Sequence, residues 1–82
     1  MRLPRDVSGR DLVRALETFG YVVLRQSGSH IRLGTRNQPE HHLTIPDHDA
    51  LRLGTLAGVV ADVAAHHGLS KDEVVQRLFG DR

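Results

Sequence analysis

Arg25, Ser27, Ser29, His30 and Arg32 crowd a short stretch in the first half of the chain. An imidazole with its ordinary pKa of about 6.5 takes up and releases a proton at neutral pH without a special environment. Guanidinium groups make bidentate contacts with phosphate. These residue types therefore suit proton transfer beside a bound anion, provided that the fold brings them onto one surface.

The wider charge pattern points to the same class of partner. Residues 1–36 hold seven arginines against Asp6, Asp11 and Glu17, a balance of +4, while residues 37–82 hold four basic and seven acidic residues, a balance of −3. The overall charge of +1 hides this asymmetry. A basic half on a small protein suggests an anionic partner, with nucleic acid the leading candidate. Lys71 is the one lysine among eleven basic residues, a ratio that codon bias in a GC-rich genome explains equally well.

The elements around these residues can be read from periodicity. Ser8-Gly9-Arg10-Asp11 fits a capping pattern, and Leu12, Val13, Leu16 and Phe19 follow at helical spacing, so residues 8–19 are expected to form a helix that Gly20 ends. From Tyr21 the period changes to two. Residues 21–27 and 30–34 read as strands, and Gly28 comes first in the two-residue loop between them, as a type II′ turn requires. That loop predicts the pairs Ser27 with His30, Gln26 with Ile31, Arg25 with Arg32 and Leu24 with Leu33. Val22, Leu24, Ile31 and Leu33 would then face the core. Tyr21, Val23, Arg25, His30, Arg32 and, from a third strand at residues 41–45, His42 would face outward.

A polar loop at residues 35–40 contains Pro39, and Pro46 ends the third strand. Gly54 and Thr55 are expected to open a second helix, with Thr55 as its N-cap and Leu56, Val59, Val60 and Val63 as its buried stripe up to Gly68. Amides freed beside such a cap are a possible phosphate site. Ser70-Lys71-Asp72-Glu73 is a full capping box for a short terminal helix carrying Val74, Val75, Leu78 and Phe79. The expected class is α+β: an α-β-β-β-α order with a three-stranded antiparallel sheet, helices on one face, and a short C-terminal helix. All 82 residues read as a single domain with a core at about residues 8–68. A chain of this size buries only about 60% of the surface its unfolded form exposes, so its site should be an exposed face or shallow groove.

Arg25-Gln26-Ser27-Gly28-Ser29-His30, then Leu43-Thr44-Ile45-Pro46-Asp47-His48, then Leu53-Gly54-Thr55-Leu56 resemble, in order and spacing, the HicA toxins of bacterial and archaeal toxin–antitoxin pairs. The resemblance runs from about Ser8 to Gly68. It implies a fold like the double-stranded-RNA-binding domain, ribonuclease activity against messenger RNA, and a HicB-type antitoxin that blocks the active site. The family's catalytic histidine, the one in Gly-Ser-His, falls on His30. Asp47-His48-Asp49 makes the crossover unusually acidic for that pattern, and the helix after Gly68 is variable within the family.

Such a reaction suits these residues. RNA carries its own nucleophile, the ribose 2′-hydroxyl, and His30 as general acid or base would move its proton, a service usually worth about 10²–10⁴ in rate. Arg25 or Arg32 could neutralise the developing charge on phosphorus, and Ser27 or Ser29 could orient the imidazole or bind a phosphate oxygen. An ordinary solvated face is the competing reading for both arginines, and Gly28 is needed by the turn whatever the function. The main alternative is a non-catalytic RNA-binding module of the same fold, which usually carries a lysine-rich patch at a helix N-terminus, whereas the stretch near Gly54 has only Arg52. Direct DNA binding by this chain alone is not expected, because the second helix would expose Ala57, Ala61, Asp62 and Ala65.

No cofactor or metal is expected. His41 and His42 are adjacent in a strand and point to opposite faces, and neither they, nor Asp47, His48 and Asp49, nor His66 and His67 supply three convergent ligands. There is no cysteine for a disulfide or thiolate site. The opening residues lack a signal-peptide pattern, and Leu56 to Ala65 is too short to span a bilayer, so a cytoplasmic protein without a membrane partner is expected.

Overall fold

The computed structural model describes residues 2–37 and 39–80. Helix α1 (Gly9–Glu17) leads into strands β1 (Tyr21–Ser27), β2 (His30–Thr35) and β3 (His42–Pro46), followed by helices α2 (Leu53–His67) and α3 (Lys71–Phe79). The strands form one antiparallel sheet with β2 in the centre. Both capping boxes are present: the Ser8 hydroxyl accepts the Asp11 amide while the Asp11 side chain accepts the Ser8 amide, and Ser70 and Glu73 repeat the exchange. Those bonds hold the Asp11 and Glu73 carboxyls below their ordinary range, backbone donation from the serine being the largest cause in each.

Ile31, Leu33, Leu43 and Ile45 form the inner face of β2 and β3 and join Leu12, Leu16, Leu56, Val60 and Val63 from the helices in one buried cluster. Val74, Leu78 and Phe79 of α3 belong to the same cluster, so the terminal helix extends the core instead of trailing from it. Gly9 is buried where α1 begins, and a Cβ there would collide with the Pro46 carbonyl. Its amide donates to the His48 carbonyl at 2.9 Å. The start of α1 thus lies flat against the end of β3, and only a residue without a side chain permits that approach.

The β1–β2 hairpin agrees with the expected register at its tip and departs from it further down. Ser27 pairs with His30, Gln26 with Ile31 and Arg25 with Arg32 across a turn in which Gly28 has φ +58°. The pairing then slips: Leu33 faces Val23, not Leu24, and Tyr21 faces Thr35. A bulge between Val23 and Arg25 leaves Leu24 unpaired and reverses the faces beyond it. Tyr21 is therefore buried at 1% exposure instead of lying on the open face, and Val23 turns to the helix side, where it lines a shallow groove with Arg10, Val13 and Arg14. Leu24, expected in the core, is 53% exposed.

The entry to α2 also differs. The helix begins at Leu53 with Arg52 as N-cap and no side-chain capping bond, so Thr55 lies inside the first turn. Gly54 is helical, and a Cβ there would meet nothing within 4 Å. Neither residue caps the helix.

Candidate active site on the open sheet face

The helices cover one face of the sheet, and the other carries the charged residues. Because opposed residues in an antiparallel ladder share a face, the outward set of β2 is His30, Arg32 and Gly34, matched by Ser27 and Arg25 on β1 and by Thr44 and His42 on β3. Four of the five singled-out side chains, Arg25, Ser27, His30 and Arg32, thus meet on one surface. Ser29 lies in the turn immediately before His30. The imidazole of His30 is exposed, and among the described residues it makes no hydrogen bond.

The backbone that presents His30 is braced from three directions. The Asp47 amide donates to the Ser29 carbonyl at 2.6 Å, joining the turn to the end of β3. The Gln26 side-chain amide donates both to the Gly28 carbonyl at 3.1 Å and to the Asp47 carboxylate at 3.0 Å. Arg10 of α1 donates to the same carboxylate oxygen at 3.0 Å. The Arg10 bond first, and the Gln26 bond second, hold the Asp47 carboxyl below its ordinary range. Local pattern places Asp47 in the second motif block, in an acidic crossover and among metal-ligand types, and does not tie it to the turn. Its contacts reach 21 and 37 residues back along the chain, and nothing local signals them.

Arg32 is also organised. Its guanidinium donates to the Thr44 hydroxyl at 3.0 Å and to Nδ1 of His42 at 3.3 Å. Arg25, directly across from it, is exposed and has no ion pair among the described residues. Among the described residues, the surface therefore sets the braced Arg32 and an Arg25 without an ion pair beside an accessible imidazole.

A second cluster of ionisable groups lies on the covered side of the sheet. The Tyr21 hydroxyl lies 2.6 Å from Nδ1 of His41 and 3.1 Å from Nε2 of His67, and Nε2 of His41 lies 3.1 Å from the Asp62 carboxylate. His66 stacks on His41 with ring centroids 4.3 Å apart. The order carboxylate, imidazole, hydroxyl repeats that of nucleophilic hydrolases, which require an accessible hydroxyl that is readily deprotonated. Tyr21 is the opposite on both counts: it is buried, and burial, helped by the charge of Asp62, pushes its pKa up to about 12. Burial also lowers the pKa of His67, with lesser contributions from His66, His41 and Arg77. The cluster is a structural tie between β1, the β2–β3 loop and the end of α2. It separates His41 from His42, which lies on the open face, and among the described residues no three His, Cys, Asp or Glu side chains are grouped to hold a metal ion.

No helix among the described residues is long and apolar enough to cross a membrane. No curated protein and no solved structure matches the chain significantly. The family model described as the HicA toxin of bacterial toxin–antitoxin systems does match, over residues 9–64, from the first residue of α1 into the last turn of α2. With that match covering well over half its length, the chain belongs to the HicA toxin family.

Proposed function

We propose that this chain is an endoribonuclease that cleaves messenger RNA in the cytoplasm, with His30 as its general acid or base, and that a HicB-type antitoxin silences it by covering the open sheet face. The observation that carries this reading is the exposed imidazole of His30, across the ladder from Ser27 and one step along β2 from Arg32, on the face that no helix covers.

The chemistry follows from what the substrate brings. The ribose 2′-oxygen attacks the neighbouring phosphorus while His30 accepts its proton. The bond from phosphorus to the 5′-oxygen breaks, and that oxygen takes a proton from solvent, to which His30 returns the one it accepted, giving a 2′,3′-cyclic phosphate and a 5′-hydroxyl. Arg25 and Arg32 offset the charge that builds on the phosphate, and Ser27 and Ser29 supply hydroxyls for its oxygens or for the ring. RNA, side chains and solvent fill each of these roles, so activity should persist in a chelator.

The test is incubation of the purified protein and its His30→Ala variant with end-labelled messenger RNA. The wild type should cut and the variant should not, with both folded. Retardation of RNA without cutting by the wild type would mark a binding module instead.

A further inference from the structure

The bulge in β1 has a consequence on the open face. Leu24 leaves the core and lies over the outward side of β2 at Gly34, while His42 approaches the same spot from β3. A Cβ on Gly34 would lie 2.9 Å from both Leu24 Cδ1 and His42 Cδ2, so the missing side chain lets these two groups close over the central strand. Leu24 is 53% exposed, the side chain of His42 is 41% exposed, and Arg32 donates to Nδ1 of that imidazole. An aliphatic surface and a ring thus adjoin over Gly34, four residues along β2 from His30, or about 13 Å at strand spacing, while Arg32 lies between them and His30 and orients the ring.

We propose that Leu24 and His42, with the ring held in place by Arg32, form a stacking subsite for one unpaired nucleotide flanking the cleaved linkage. The proposal rests on the nuclease reading and adds to it the single-stranded character of the substrate. Splayed bases are commonly held against imidazole or guanidinium planes, and an apolar side chain can pack on the remaining base or sugar surface. Charge complementarity favours a polyanion here: Arg25 and Arg32 supply the charge on this face beside His30 and His42, and among the described residues neither arginine is paired with a carboxylate. At about 13 Å from His30 the subsite is too distant to take part in proton transfer, so it should govern binding and not the chemical step.

The test measures binding separately from cleavage. A fluorescent, unstructured RNA oligonucleotide is titrated into full-length His30→Ala protein, alone and combined with Leu24→Ser, Leu24→Met, His42→Ala or His42→Phe. Leu24→Ser and His42→Ala should each weaken binding about tenfold, while Leu24→Met and His42→Phe, which keep the apolar or ring surface, should bind within about twofold of the parent. Annealing the RNA to its complement should abolish the difference. Equal affinity of all variants for the single strand, or loss with His42→Phe as large as with His42→Ala, overturns the subsite. So does a surface whose variants bind RNA normally but escape antitoxin inhibition. Cleavage by the wild type is scored in a parallel reaction, so failure of the nuclease reading is seen separately from failure of the subsite.

Discussion

The backbone amide of Asp47 donates to the carbonyl of Ser29 at 2.6 Å, fastening the turn before His30 to the end of the opposite edge strand. Together with Gln26 and Arg10 on the Asp47 carboxylate, this bond fixes where the His30 strand begins. Displacing a reacting group by about 1 Å can cost as much as 10² in rate. Asp47→Ala should therefore lower kcat about ten- to a hundredfold with little change in KM. Steady-state kinetics on a short RNA check this, and a variant with normal kcat would remove the Asp47 carboxylate from the positioning of His30.

How far the sequence discloses this arrangement depends on how local the determinants are. The Gly28-Ser29 turn, both capping boxes and the tip register are set by residues within a few positions of one another, and pattern reading places them correctly. The same holds for His30, whose face follows from that short register. The bulge at Leu24 is different. Alternation alone argues for Leu24 in the core, yet placing Tyr21 inside gives its hydroxyl His41 and His67, 20 and 46 residues away, and Gly34 leaves room for Leu24 outside. Those partners are invisible to a local pattern. Thr55 misleads for a related reason: it is a good capping type, but α2 starts two residues earlier without any side-chain cap.

Arg25 has no ion-pair partner among the described residues, so its charge is available to a phosphate. For a single-stranded RNA, Arg25→Ala should reduce the slope of log affinity against log salt by about 0.7, the value for one lost phosphate contact. Titrations in the His30→Ala background at several salt concentrations measure it. An unchanged slope would mean that Arg25 lies off the path of the RNA backbone.

Gly9→Ala tests the docking of α1 on β3. The added methyl meets the Pro46 carbonyl, which is backbone and cannot swing away. Overpacking of this kind typically costs about 1–3 kcal/mol, a large share of the stability of so small a domain. Urea denaturation should show the loss, and a variant as stable as the wild type would contradict the close approach.

The histidine cluster predicts opposite limits of stability in acid and in alkali. The fold depresses the pKa of His67, so its contribution is present above the unfolded value of about 6.5 and is lost as pH falls through it. Tyr21 is raised, so its contribution is present below about 10 and is lost as pH climbs towards 12. As Tyr21 is the one tyrosine in the chain, its phenolate absorbance should titrate near 12 without overlap, and a midpoint near 10 would mean an exposed hydroxyl. His67→Gln should flatten the acid side of the stability curve below the unfolded value of about 6.5.

Cleavage of a short RNA with a single scissile linkage, with the adjoining ribose either intact or 2′-deoxy, most directly tests His30 as the group that moves the 2′-proton. The wild type should cut the ribose form alone and leave a cyclic phosphate, and His30→Ala should be slower by about 10² or more while keeping its thermal midpoint. Cutting of the 2′-deoxy form, or a folded His30→Ala protein that cleaves within a few-fold of the wild type, would contradict that assignment.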